Sequence, residues 1–217
     1  VFIPKGFTAL QMGIDRERQE LPSETVAWDW FKDNYPAIAS WLKQFKKEAK
    51  ARTDKGDYWW ELRACAYYKK FAQPKIFYQK FQVKPCFLYD NKHSLFNDSM
   101  WFLSVPDKSL LALLCSRIGW WLITEFCPRI QNGAQLIWDN FRQIPIPQEL
   151  PQVLNEYADK MMAVRNDEAE FLRLSKEIDN IIATLYNLTE ELNFIINNDT
   201  KCRMYDELNV HEYAEKK

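Results

Sequence analysis

Between Gly56 and Phe81 the sequence GDYWWELRACAYYKKFAQPKIFYQKF sets nine aromatic rings and five basic side chains into 26 positions. Rings at that density pack against one another, because left outside they form a large apolar patch in water. Cations at that density stay outside, because an unpaired charge in an apolar interior costs several kcal/mol. The stretch therefore predicts a core wrapped in a cationic shell. Trp59, Trp60, Leu62, Tyr67, Phe71, Ile76 and Phe77 are expected in the core. Lys55, Lys69, Lys70, Lys80 and Lys84 are expected on the shell, as contacts to phosphate. Arg63, between apolar neighbours, suits an internal ion pair and an external contact with an anion equally.

The net charge of −1 conceals a segregation. From Lys43 to Lys84 there are twelve Lys or Arg against four Asp or Glu, a balance of +8. From Gln148 to Lys217 there are fifteen acids against eight bases, a balance of −7. The two blocks cancel in the sum and not in space, so a basic half can still bind a polyanion. With 47% hydrophobic residues over 217 positions, a sizeable core is within reach. No apolar run reaches 18 residues and the opening VFIPKGF lacks the pattern of a signal peptide. Cys65, Cys86, Cys115, Cys127 and Cys202 are odd in number and scattered, as expected of free, mostly buried thiols in a cytoplasmic protein without membrane contact.

Periodicity supplies the elements. Residues 1–22 show little of it and read as a connector from an upstream domain. Ser23 is placed to cap a helix with Val26, Trp30 and Phe31 on one face. Tyr35-Pro36 breaks it, and Ile38, Trp41, Leu42 and Phe45 then recur at amphipathic spacing. Leu62–Phe71 predicts a short helix. Residues 75–78, 86–89 and 101–105 predict short strands bounded by prolines. Ser109–Phe126 is Leu-rich and predicts one buried helix, and Ile144-Pro145-Ile146-Pro147 an extended exit. Leu154, Met161, Met162, Phe171, Leu174, Ile178, Ile181, Ile182 and Leu185 continue a helical pattern. The expected fold class is α+β (mixed α/β), with a compact body over residues 23–147 and an acidic helical segment over 148–217.

Catalytic patterns are sparse. Five glycines provide neither G-x-G-x-x-G nor a P-loop, and no G-x-S-x-G is present. His93 and His211 stand apart in the sequence, without the clustering that zinc requires. Asp33-Asn34-Tyr35-Pro36 holds the residue types of an amino-methyltransferase motif in the wrong order. Neither Lys75 nor Lys80 has the nearby acids of a metal-dependent nuclease, and the carboxylates after Gln148 read as a solvated helix face.

The segment RTDKGDYWWELRACAYYKKFAQPKIFYQKF is similar to the signature R-x-D-K-G-x-Y-W-x-E-L-R…F-x-x-P-K-I of the TaqI-like specificity domain. That domain follows the methyltransferase in combined restriction-and-methylation proteins. The resemblance continues through SLLALLCSRIGWWLI, where the family usually has Asn-Ser in place of Cys115-Ser116. It extends to RIQNGAQLIWDNFRQIPIP, with the second glycine of the turn missing at Asn132-Gly133, and to IDNIIATLYNLTEE. It covers residues 35 to 196.

The resemblance implies a target recognition domain that finds a sequence in double-stranded DNA. An upstream domain of the same chain would bind S-adenosylmethionine and methylate adenine at N6, and the parent protein would belong to a restriction-modification system, with or without an endonuclease. This segment would bind DNA without catalysing. Base reading needs bidentate groups on loops. The candidates are Asn91, Lys92, His93 and Asn97 in one loop and Arg129, Gln131, Asn132 and Gln135 in another. Two other readings remain open: a protein-interaction module that docks a partner subunit, and a single-strand nucleic-acid binder with exposed stacking rings.

Overall fold

A computed structural model describes residues 1–96, 98–131, 133–164 and 167–198. The fold is a mixed α+β one that divides into two compact units, Val1–Lys69 and Lys70–Lys217.

The first unit holds α1 (Phe7–Gln11), α2 (Glu24–Asn34), α3 (Pro36–Lys43) and α4 (Lys46–Ala51), followed by an irregular segment. Ser23 caps α2 by accepting a hydrogen bond from the Val26 backbone N–H, and Pro36 opens α3 at its first turn. Ala27 and Phe31 face the core at i and i+4, which turns Val26 out to solvent, against the expected face. On α3 the buried residue is Ala39, while Trp41 is exposed and Phe45 lies beyond the helix end. The expected amphipathic run is thus cut short.

Trp59 and Trp60 are buried as expected, packed on Trp28 with ring centroids 4.7 and 5.0 Å away. Tyr67 is exposed, contrary to its placement in the core. Ile3, Thr8 and Ala9 are buried in this unit, so part of the segment read as a connector is core. Its anchor is too distant in sequence for periodicity to show: the fully buried Glu61 carboxylate accepts from the backbone N–H groups of Gly6 (3.0 Å), Thr8 (2.9 Å) and Asp57 (2.9 Å). The short helix expected over Leu62–Phe71 does not form. Leu62 instead bridges Lys55 and donates to the Ile3 carbonyl, leaving only a 3-10 turn at Tyr68–Ala72.

The second unit contains β1 (Lys75–Gln79), β2 (Phe81–Gln82), β3 (Phe87–Asp90), β4 (Met100–Leu103), α5 (Lys108–Cys115), α6 (Arg117–Phe126), β5 (Arg129–Ile130), β6 (Gly133–Gln135), α7 (Trp138–Phe141), α8 (Val153–Ala163), α9 (Glu168–Leu185) and α10 (Glu190–Asn198). Two antiparallel sheets form, in the orders β3-β1-β4 and β2-β6-β5. Alternation along β1 sends Ile76 and Tyr78 into the core and Phe77 to the other face.

The apolar run 109–126 is two helices bent by 74°, not one. Ser116 makes the corner: its hydroxyl donates to the Leu113 carbonyl (2.7 Å) and accepts from the Gly119 N–H (2.9 Å). A Cβ on Gly119 would lie 1.9 Å from the Leu113 carbonyl oxygen, so only glycine fits there.

Helices α8, α9 and α10 bring Leu154, Ala158, Ile178, Ile182 and Ile196 into the same core as α5 and α6. The compact unit therefore runs across Pro147, where the composition changes. Two carboxylates of the acidic segment are engaged with the body: Asp179 accepts from the Arg117 backbone N–H at 2.9 Å, and Asp159 pairs with Lys108 at 2.5 Å. Of the cysteines, Cys127 is buried and Cys65, Cys86 and Cys115 are half-buried, all as free thiols, while Cys202 lies outside the described residues.

Candidate nucleic-acid interface

Residues 52–62 form an internally tied loop after α4. Arg52 donates to the carbonyls of Trp59 (3.1 Å) and Glu61 (3.2 Å). The Lys55 ammonium donates to the carbonyls of Lys50 (2.9 Å) and Arg52 (3.0 Å), which neutralises the C-terminal end of α4. Lys55 is thus committed to its own loop. Arg63 is exposed. Lys69 and Lys70 are exposed neighbours in the 3-10 turn that joins the units.

Within the second unit the remaining candidates fall at the two ends of β1, about 13 Å apart along the strand. At one end lies the loop after β3. Asp90 accepts from the backbone N–H groups of Lys92 (3.1 Å) and Ser94 (2.9 Å) and from the Ser94 hydroxyl (2.9 Å). Lys75, fully buried on β1, donates to Asp90 at 2.5 Å and to the Phe71 carbonyl at 3.0 Å. Burial pushes the Asp90 carboxyl up, but the Lys75 ammonium, Ser94 and the backbone N–H of Lys92 outweigh it and bring the group from 3.8 to about 2. Farther along, Phe96 packs on Phe71 and Phe77, with ring centroids 5.1 and 5.3 Å away. Asn91, Lys92 and His93 are exposed between these anchors, His93 with φ of 59°. Asn97 lies outside the described residues.

At the other end is the small sheet. Phe81 pairs with Gln135 and Gln82 with Ala134, while Ile130 and Gly133 close the β5–β6 hairpin. The Lys80 carbonyl accepts from the Leu136 N–H at 2.8 Å. This pairing brings Lys80 and Lys84, which flank the β2 segment, close in the chain fold to the hairpin carrying Arg129, Gln131 and Gln135, residues spread over 56 positions of sequence; the register sets Gln135 beside outward Phe81 and Arg129 beside Ala134 on the other face. Gln131 is exposed at the hairpin tip with φ of 52°; Asn132 lies outside the described residues. Arg129 is exposed and pairs with Glu125 at 3.1 Å. A Cβ on Gly133 would sit 2.1 Å from the Gln82 carbonyl oxygen, so glycine at this position is what lets β2 approach β6.

The run Lys80-Phe81-Gln82-Val83-Lys84 inverts the usual polarity of a strand. Gln82 is buried, donating to the Gln79 carbonyl (3.0 Å) and accepting from the Cys86 N–H (2.8 Å). Phe81 and Val83 consequently point outward, 55% and 50% exposed. The Lys80 ammonium lies 5.6 Å from the Phe81 ring centroid and 6.0 Å from that of Trp101. Sequence reasoning missed Phe81 and the Lys75–Asp90 pair. For Phe81 the signal was legible: apolar residues flank a glutamine between two lysines, and the glutamine, not its apolar neighbours, turns inward.

Among the described residues no group of three or more His, Cys, Asp or Glu converges as a metal would need. No protein-family model matches the chain, and no curated protein matches it.

Proposed function

We propose that this chain is a target recognition domain that reads double-stranded DNA for a restriction-modification adenine-N6 methyltransferase. The observation that carries the reading is the small sheet β2-β6-β5, whose pairing sets a hairpin bearing Arg129, Gln131 and Gln135 beside the β2 segment that Lys80 and Lys84 flank. Cations of this kind neutralise phosphates, and Arg and Gln on a hairpin are the groups that read guanine and adenine edges. The similarity of residues 35 to 196 to TaqI-like specificity domains supports the same reading. The loop at Asn91 and Lys92 offers a second reading element, held by Asp90. In the parent protein, S-adenosylmethionine would bind the methyltransferase domain; the five glycines of this chain build no cradling motif for it.

Fluorescence anisotropy with a labelled duplex over a range of salt tests the proposal. The chain should bind weakly, at roughly 10⁻⁴ to 10⁻⁶ M at physiological salt, with log K falling by about 0.9 per phosphate contacted. Replacing Lys80, Lys84 and Arg129 together with glutamine should flatten that slope by about 2 to 3. An unchanged slope in the triple variant, or no binding by the parent chain, refutes the assignment of this sheet.

A further inference from the structure

We infer that the cleft between the α8–α9 pair and the β3–α5 pair binds a small, neutral aromatic molecule of about two rings that carries one hydroxyl group. The site lies within the second unit and does not depend on the DNA reading proposed above.

The cleft encloses about 350 Å³. A dry apolar cavity of about 150 Å³ takes up benzene, so this one has room for a bicyclic molecule. Its inner wall includes Leu111, Ala112, Ala158 and Ile178, all buried. Leu88, Met162 and Phe171, at 56%, 43% and 38% exposed, mark the opening. Three partly exposed side chains fall far short of the roughly 800 Å² per partner that a stable protein interface buries, whereas they suffice to admit a free molecule.

The wall favours aromatic carbon. Cys115, Met161 and Met162 bring three sulfur atoms to it, and Phe87 and Phe171 bring two rings. Sulfur lies well against an aromatic ring, and methionine adapts to the outline of what it holds. The wall also excludes charge. Burial pushes the Cys115 thiol up to about 12, so it stays neutral at pH 7. Asp179 is engaged by the Arg117 backbone N–H at 2.9 Å, and among the described residues no Lys, Arg or His lines the cleft. A buried carboxylate or ammonium on the ligand would therefore meet no counter-ion.

One polar group of the wall is uncommitted. The Ser116 hydroxyl is spent on the Leu113 carbonyl and the Gly119 N–H. The Ser175 hydroxyl is buried and has no hydrogen-bond partner. Phe171, Ser175 and Ile178 recur at i, i+4 and i+7 on α9, which sets the serine on the helix face that lines the cleft. A buried hydroxyl without a partner is costly, and a ligand hydroxyl, both donor and acceptor, complements it.

Calorimetric titration of the whole chain with 2-naphthol at pH 7 tests the inference. One equivalent should bind at roughly 10⁻⁵ M. The charged 2-naphthoate should bind at least about tenfold more weakly. Ser175→Ala should weaken 2-naphthol about three- to tenfold and leave naphthalene unchanged, because only the hydroxyl pair is lost. Ser175→Leu should fill the cleft and abolish binding of both. Alanine and leucine are better helix formers than serine, so circular dichroism of both variants should match wild type. If the leucine variant fails to fold, the alanine variant decides. Absence of saturable heat, 2-naphthoate binding as tightly as 2-naphthol, or 2-naphthol affinity unchanged by Ser175→Ala overturns the inference.

Discussion

Replacing Lys75 with methionine removes one charge of a buried pair and keeps nearly the same volume, so the cavity contribution is small. The ammonium is fully buried and bonds both Asp90 and the Phe71 carbonyl. Its loss leaves a carboxylate that is only 7% exposed. Breaking such a pair costs about 3 to 5 kcal/mol. Asp90 retains the N–H groups of Lys92 and Ser94 and the Ser94 hydroxyl, which points to the lower end, about 3 kcal/mol at pH 7. The pH dependence has a definite sign. In the wild type the carboxyl is depressed, so its contribution is fully present above 3.8 and is lost as pH falls through about 2. In the variant the lowering by Lys75 is gone while burial still pushes the carboxyl up, so Asp90 takes up its proton at higher pH than in the wild type and acid relieves the buried charge. The stability gap between the two proteins should therefore stay level near neutral pH and narrow on the acid limb, as pH falls toward the wild-type value of about 2. Urea unfolding followed by circular dichroism at several pH values measures it, with hydrogen exchange of the β1 amides locating the loss. A deficit under about 1 kcal/mol at pH 7, or a gap that stays constant with pH, refutes the reasoning.

Glu61→Ala should cost about 3 to 5 kcal/mol, because the Gly6, Thr8 and Asp57 N–H groups lose a buried acceptor together. A red shift of tryptophan emission at lower urea would report it, as the cluster around Trp59 and Trp60 opens. Gly133→Ala should cost about 1 to 3 kcal/mol by overpacking against the Gln82 backbone. It should also weaken duplex binding by parting β2 from β6, and anisotropy with the intact duplex checks this.

The sequence made elements legible where one local rule decides them. Ser23 and Pro36 mark helix starts, and the prolines at 74 and 85 bracket strands, because capping and φ restriction act within a few residues. Three features escaped for physical reasons. Ser116 reads as one more residue of an apolar helix, since the close approach of Gly119 to Leu113 that forces the corner is tertiary. Glu61 sits in a run of rings, yet two of its three donors lie more than fifty positions upstream. Lys75 shows no acid nearby in sequence because Asp90 reaches it only through the β1–β3 register. For the site, the cations were legible as a shell. Their division between a self-tied loop at Lys55 and the surroundings of the small sheet at Lys80, Lys84 and Arg129 was not, since strand pairing decides it.

The anchoring of the loop after β3 has a consequence for how such a chain can drift. Its shape is held by the Asp90 carboxylate, the Ser94 hydroxyl and the Phe96 ring, all outside the three residues at its crest. The Lys92 N–H that joins this anchoring belongs to the backbone and survives any change of side chain except proline. Asn91 and Lys92 can accordingly be exchanged for residues of different size and chemistry without refolding the loop. His93, with its positive φ, accepts asparagine, aspartate or glycine most readily. The crest behaves as a replaceable tip on a permanent handle, so novelty at its surface and conservation of the fold do not compete.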